Sequence, residues 1–373
     1  MDIYIFSKEL ELIGHTDVVT SGLWTENFAD VGTFEFWSPL DAVHAELFQE
    51  GNLVYMLEHK SAGVIELIEK VSSDKDITMH IAGRHLKSYL DRRCVYPVFN
   101  KTAKPSVIAR SLVSVNCIDP TDKNRVIPNL SLKADDPEYG TSMSMQKTGG
   151  SVLDAEVDFL TTQNLGSEVI FDHKNKKLLY SVRQGKDRRI DQDVNDPVLL
   201  STDMDTILSS EYTYDKSEMK NFAYVAGAGE GAARKVISVS NSTLSGLDRY
   251  ELYVDARDIQ DTKTDDTGTQ TTIPDEEYNS MLRTRGLSKL AECKLSESFE
   301  ATIRTDDLAG FVFDKDYFLG DTITVYDNRL KVKADVLVTA AEYKYTSEGL
   351  EVNLTLGYPQ LSVMQKLRRD TKQ

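Results

Sequence analysis

Cysteine is scarce in this chain. Cys94, Cys117 and Cys293 are the only three in 373 residues, and no two of them form a CxxC pair. Such spacing offers neither a disulfide framework nor a zinc knuckle, and it points to a reduced, cytosolic origin. Long apolar runs are also missing. None approaches the ~20 residues that cross a bilayer, so no direct membrane anchor is expected. The opening MDIYIFSKEL goes straight into a strand pattern, without a basic stretch and an apolar core, so no secretory signal is expected. Positive charge is in the minority: 43 Lys and Arg face 60 Asp and Glu, a formal net charge of −17. General affinity for nucleic-acid phosphates needs clustered Lys and Arg, and this balance argues against it. It suits solubility, and equally a surface that does not hold DNA.

Catalytic signatures are missing too. There is no GxxxxGK(S/T), HExxH or GxSxG, and no Cys/His set with metal spacing. GAGEGAARK, Gly227 to Lys235, has closely spaced glycines. A phosphate loop needs them where a strand turns into a helix, and here strand patterns lie on both sides, which reads as a hairpin turn. Asp191, Asp193 and Asn195 alternate like calcium ligands but lack the sixth-position glycine and twelfth-position glutamate. His80 and His85 have no third ligand nearby and read as packing residues. Arg183, Lys186, Arg188 and Arg189 form the one compact basic cluster, read as a solvated turn or as a contact for an acidic neighbouring subunit. No carboxylate pair stands out as a glycosidase site. The expectation is therefore no enzyme, no cofactor, and no catalytic, cofactor-binding or metal residues.

What the chain does have is alternation. In Gly320–Gly357, Leu350, Val352, Leu354 and Leu356 alternate with Glu351, Asn353 and Thr355, and Val336 and Val338 alternate with Asp335 and Thr339. A period of two places one apolar row on one face of a strand. Asp327-Asn328 and Ser347-Glu348-Gly349 supply turns, so the stretch reads as a three-stranded meander. A similar unit runs from Gly51 through LVYML, VIELIEKV and a polar turn at 72–76. It ends with Ile77, Met79 and Ile81 alternating before Gly83. This predicts a duplicated module with equivalent strand pairing.

The rest divides around these meanders. Residues 1–98 read as β hairpins, with a short helix at 41–49, another over Arg84–Asp91 and a strand over Cys94–Val98. Residues 99–197 read as an α/β insert. Pro105 opens a helix with Ile108, Leu112 and Val115 on one stripe, and 119–140 is irregular. Ser151 and Asp154 have capping-box spacing, with Gly166 at that helix's exit. Strands over 168–171 and 177–183 follow. Residues 198–358 are β again, with a polar surface loop at 258–272. A long helix spans 274–296, its first turn holding Asp275, Glu276 and Glu277 where acidic groups suit the helix dipole. Residues 359–373 form a basic tail. The fold class expected is mainly β with an α/β insert (α+β).

Several motifs resemble the tail hub proteins of siphophages and related prophages: MDIYIFSKELELIG with LWTENFADVGTFEF, CIDPTDKNRVIPNL (117–130), GEGAARK (229–235), GLDRYELYVDARDIQ (246–260), EEYNSMLRTRGLSKLAE (276–292) and YFLGDTITV (317–325). Their order and spacing cover nearly the whole chain. The resemblance implies two β-barrel-like hub domains per subunit, similar to the baseplate hub of contractile phages, and a homotrimer making a pseudo-six-fold ring at the tail tip. It implies as partners a distal tail protein ring, a tape-measure protein, and fibre or receptor-binding proteins. DNA would pass without specific binding. Assembly would occur in the bacterial cytoplasm and the product would be part of the virion. The lysin extension of many relatives is not expected here. Two alternatives remain open: a carbohydrate-binding or glycan-cleaving tail protein, and the hub of a contractile tail or phage-like bacteriocin.

Overall fold

The structure is a computed structural model, and it describes residues 2–72, 77–231, 234–240, 243, 245–264, 270–293, 295–304 and 310–358. The basic tail 359–373, and most of the polar turn expected at 72–76, lie outside the described residues.

The chain opens with β1 (Ile3–Phe6), β2 (Leu12–Thr16), β3 (Ser21–Asn27), β4 (Thr33–Pro39) and the short helix α1 (Ala42–Leu47). A meander follows: β5 (Leu53–Met56), β6 (Ser61–Ser72) and β7 (Ile77–His85). The middle carries β8 (Phe99–Ala103), α2 (Pro105–Val113), β9 (Leu130–Leu132), β10 (Met143–Lys147), α3 (Val152–Thr162), β11 (Gly166–Asp172) and β12 (Lys177–Arg183). Next come β13 (Asp187–Arg188), β14 (Leu199–Ser201), β15 (Ile207–Asp215), β16 (Phe222–Ala226), β17 (Val236–Ser240), β18 (Glu251–Asp255), β19 (Thr262–Thr264) and β20 (Gln270–Thr272). The last part is α4 (Asp275–Glu292), β21 (Ser296–Ile303) and a second meander of β22 (Thr322–Asp327), β23 (Val332–Thr346) and β24 (Gly349–Tyr358). The chain is mostly β, as the alternation predicts. No described helix is long and apolar enough to cross a membrane.

One long sheet dominates, in the order β15-β21-β24-β23-β3-β4-β7-β6-β5-β1-β2, with β13 and β14 added on β22. Its two halves repeat each other. In the first meander β5 pairs with Ser61–Val64 at the start of β6, and β7 pairs with Gly63–Ser72 across a bulge between Ile65 and Leu67. In the second, β22 pairs with the start of β23, and β24 with its remainder after a bulge between Val338 and Ala340. Gly51 and Gly320 both have positive φ, 82° and 90°. The Gly51 N–H donates to the Ile65 carbonyl and the Gly320 N–H to the Val338 carbonyl, each at 2.8 Å. Ile65 and Val338 return the bond to Asn52 and Asp321, each at 2.9 Å. A left-handed residue is needed where the chain turns into each meander, and glycine meets that need without a Cβ clash. The closing glycines are not equivalent, however. Gly83 sits opposite Ile65, whereas Leu356 sits opposite Val338, so Gly357 lies one residue further on.

Three cores hold the fold. The largest runs through both meanders and includes Trp24, Phe34, Phe36, Ile81, Phe299, Val338, Leu354 and Leu356. The second lies between the other side of the first meander and the insert, joining Leu53, Val64 and Leu90 to Ile108, Leu112, Leu160 and Tyr180. The third packs α4 on the small sheet β17-β16-β18 through Val225, Val239, Met281 and Leu282. Gly286 is tolerated inside α4 because the helix approaches that sheet closely. A Cβ there would lie 2.6 Å from Val225 Cγ2.

Several local expectations are corrected. Cys94–Val98 is not a strand. Pro97 has no N–H to donate, Cys94 makes only an isolated bridge to Ser151, and the strand starts at Phe99. The helix expected over Arg84–Asp91 is a 3-10 turn at Leu86–Arg92, because β7 runs on to His85. After Val113 helix α2 widens into a π-helical turn, Ser114–Ile118, and the changed period leaves Val115 exposed and off the stripe with Ile108 and Leu112. Ser151 caps α3 as expected, accepting from the Asp154 N–H. The helix exits through Asn164 (φ 51°) rather than Gly166. The Leu165 N–H reaches the Leu160 carbonyl and the Asn164 N–H the Thr161 carbonyl, a Schellman closure. The 258–272 loop contains the β19–β20 hairpin, and α4 stops at Glu292 because β21 begins at Ser296.

Inside the second core, Lys87 Nζ lies 2.9 Å from Glu156 Oε2, with both side chains buried. The Tyr180 hydroxyl also donates to Glu156. Removing one partner leaves an uncompensated buried charge, at a cost of roughly 3–5 kcal/mol. Lys87→Met is therefore expected to lower the urea midpoint steeply. Adding Glu156→Gln, which keeps an acceptor for Tyr180, is expected to recover much of the loss. Urea unfolding of the single and double variants checks this.

Candidate functional site

The two modules meet where β3 lies antiparallel on the outer half of β23, from Asn27 opposite Ala340 to Gly22 opposite Tyr345. The Phe28 N–H continues the ladder to the Thr339 carbonyl at 2.9 Å. Period-two geometry sends Trp24 and Glu26 to the same face of β3, so a carboxylate enters an otherwise apolar row. There Ser61 Oγ donates to Glu26 at 2.7 Å and Trp24 Nε1 at 3.3 Å. His59 Nε2 lies 2.7 Å from the Tyr345 hydroxyl, which also donates to Glu58 at 2.8 Å. The Tyr343 hydroxyl donates to Asp314. The His59 ring lies 4.0 Å from that of Tyr343, and the His85 ring 4.6 Å from Trp24.

Burial sets the proton affinities of this cluster. It raises Glu26 against the lowering hydrogen bond from Ser61. It raises Asp314 too, although that residue keeps an exposed edge. It lowers His59 to about 4 and His85 to about 3. His85 retains some exposure as a residue, but its Nε2 is closed off and has no partner. Tyr343 and Tyr345 are pushed up by burial first, then by the carboxylates beside them. Low dielectric thus favours the neutral forms of Glu26, Asp314, His59, His85, Tyr343 and Tyr345. The result is a joint between modules, built of stacked rings and hydrogen bonds.

Where the face of the long sheet opposite its largest core is not covered by the insert, it carries several carboxylates. Glu35 lies between core residues Phe34 and Phe36, Glu300 between Phe299 and Ala301, and Glu342 between Ala341 and Tyr343, so all three point away from the core. Glu211 stands opposite Glu300 and Glu69 opposite His80 on this same face. A shallow cleft of about 440 Å³ here is lined by Ser209, Glu211, Glu300, Glu342 and Asn353.

A larger cleft, about 680 Å³, lies among β10, α3 and α4. Asp158 in its wall is pushed up to about 6 by burial and then by Glu292. Burial pulls Lys147 down. Sequence reasoning missed Asp158, which sits in an amphipathic helix like any solvated carboxylate. The aromatic residue in its lining, Phe159, is 2% exposed, which leaves little ring face for a sugar to stack on.

The residues singled out by sequence do not converge. His80 stacks on Trp37, with ring centroids 4.4 Å apart, while His85 turns to Trp24. GAGEGAARK joins the antiparallel strands β16 and β17. In the 191–195 stretch, Gln192 Oε1 accepts from the Val194 and Asn195 N–H groups and fixes a turn. Among the described residues no group of three or more His, Cys, Asp or Glu is placed to hold a metal ion. Part of the basic cluster is engaged internally, while the Lys186 side chain is exposed. Arg188 Nε donates to buried Asp321 at 2.8 Å, and the Lys186 N–H to the same carboxylate at 2.7 Å. Arg189 pairs with Asp187 and Arg183 donates to the Asn27 carbonyl. The first module has neutral Asn52 where the second has Asp321, so only the second needs a buried cation.

This fold recurs in solved tail proteins. The 43 kDa tail protein of prophage MuSo2 from Shewanella oneidensis is 13% identical, with a TM-score of 0.60 over 96% of this chain and 99% of that one. Prophage tail protein gp18 from Listeria monocytogenes EGD-e is 12% identical, with a TM-score of 0.56 over 100% and 99%. A tail protein from Neisseria meningitidis MC58 is 13% identical, with a TM-score of 0.53 over 95% of each chain. At these identities the likeness is one of fold. A search of curated proteins finds no relative by sequence. The family model described as Siphovirus ReqiPepy6 Gp37-like protein matches residues 2–358, and the chain belongs to that family.

Proposed function

We propose that this protein is the hub at the tip of a siphophage or prophage tail, a structural part of the virion rather than an enzyme. The observation that carries the reading is the internal repeat: two modules with the same pairing, bulge and opening glycine, joined edge to edge in one sheet. Three copies would supply six such modules, a pseudo-six-fold ring able to cap a six-fold tail tube. In this reading 1–98 and 198–358 are the two barrel-like hub domains, and the 99–197 insert stands outside the ring. A distal tail protein ring, a tape-measure protein and fibre or receptor-binding proteins are its neighbours. The hub closes and extends the tube and links it to host recognition. The carboxylates on the outer face of the sheet suit a wall that DNA passes without being held, since Lys and Arg there would bind phosphates and release counterions. Quantitative mass spectrometry of purified tails tests the reading. Three copies per tail are expected; six copies, one copy, or absence from the tail overturns it.

A further inference from the structure

Among the described residues the internal repeat leaves two strand edges of the long sheet open. One is the outer edge of β15, which pairs only with β21 among the described residues. The other is the outer half of β6, Leu67 to Ser72. There β7 covers one side, and β5 reaches only Ser61 to Val64 on the other. Superimposing the repeats by register makes these edges the counterparts of the joint already formed within the chain. Leu67 of β6 corresponds to Ala340 of β23, since each follows its strand's bulge. Tyr212 of β15 corresponds to Trp24 of β3, since each stands opposite an equivalent phenylalanine, Phe299 or Phe34. In the second module the edge of β23 is filled by β3. In the first, no described strand pairs with the equivalent edge of β6, and β15 is the equivalent strand with no described partner on its outer side.

We propose that the outer half of β6 receives β15 of a second copy of the chain, in the register that β3 takes on β23. Transferring that register sets Leu67 opposite Asp215, Ile68 opposite Tyr214, Lys70 opposite Tyr212, Val71 opposite Glu211 and Ser72 opposite Ser210. Lys216 takes the place of Phe28, facing Glu66 as Phe28 faces Thr339. The edges suit such a partner. Leu67, Val71 and Tyr214 are each about half exposed, at 49%, 48% and 51%, and no proline interrupts either strand. An open edge is a template for pairing, and Glu69, Lys70, Glu211 and Asp215 are the charged side chains along these two. Because the two edges differ, the contact is head-to-tail and repeats until a ring closes. The number of copies in that ring rests on the tail-hub reading; the pairing of edges rests on the repeat alone.

Paired cysteines test the register, in a Cys94→Ser, Cys293→Ser background. One variant combines Lys70→Cys with Tyr212→Cys, a second Val71→Cys with Glu211→Cys. Directly opposed antiparallel pairs alternate between hydrogen-bonded and more closely spaced non-hydrogen-bonded positions, so one of the two pairs has the shorter separation and suits a disulfide. A third variant, Leu67→Cys with Glu211→Cys, is four residues out of register. Mild oxidation of assembled protein and of tails should give intermolecular species from at least one in-register pair and none from the third. Without any substitution, amide hydrogen exchange at 67–72 and 209–215 should slow on assembly. An assembled oligomer that shows neither in-register cross-link nor protection overturns the edge pairing while leaving the hub reading intact. In-register cross-linking by a protein absent from tails overturns the hub reading and leaves the pairing intact. A chain that never self-associates, free or in tails, overturns both.

Discussion

Replacing Leu354 with Asp is expected to leave the chain insoluble or unassembled, with tail yield falling accordingly. Leu354 is 1% exposed and lies mid-row in β24, opposite Ala301 on one side and Ala341 on the other. An unpaired carboxylate at that point would lose its water and find no cation, which commonly costs several kcal/mol. The repeat adds a second test of the same physics. Ile81 occupies the corresponding place in β7, is fully buried, and belongs to the same core, so Ile81→Asp is expected to fail alike. Thr355→Asp, one residue along and on the opposite face, should fold. Soluble fraction and tail yield of the three variants measure the register directly. A folded Leu354→Asp protein would mean that the apolar row faces water.

That row was readable because a strand with one buried face writes a period of two into its side chains, and a slip of one residue would expose the whole set. The same signal located both meanders and their opening glycines. Pairing between distant strands leaves no such mark. Nothing in the sequence of β3 says that it docks on β23 rather than beside another strand. The joint between modules was therefore invisible, although one trace of it exists. Residues 22, 24, 26 and 28 share a face, and Glu26 breaks a row otherwise made of Gly22, Trp24 and Phe28. A carboxylate in a core row signals a buried polar partner set, here Ser61 and Trp24 with Asp314 and the tyrosines nearby. The basic cluster misled for a related reason. Arg188 and Asp321 are far apart in sequence, and only the parallel pairing of β13 on β22 brings them together.

Acidification is expected to act on the joint through His59 and His85. Both are held neutral by burial, at about 4 and about 3, against about 6.5 for a histidine in an unfolded chain. Between pH 6.5 and 4 the unfolded state therefore binds protons that the folded state refuses. Stability contributed by the neutral rings is full above 6.5 and is lost as pH falls, by up to about 1.4 kcal/mol per pH unit for each ring. Glu26 and Asp314 pull the other way. Their raised affinities mean that the folded state takes up protons before the unfolded one does, so their contribution is full below the unfolded values and is lost as pH rises through the folded ones. Arg183 works against that rise for both carboxyls, and Glu58 against the fall of His59. Substitution separates the opposed slopes. His85→Leu should flatten the loss of stability between pH 6.5 and 4, by up to about 1.4 kcal/mol per pH unit relative to the parent chain. Glu26→Gln should steepen it. Denaturant unfolding of the three proteins across that range reads both slopes. Parallel profiles for the parent chain and His85→Leu would show that the imidazole beside Trp24 is not withheld from protons in the folded state.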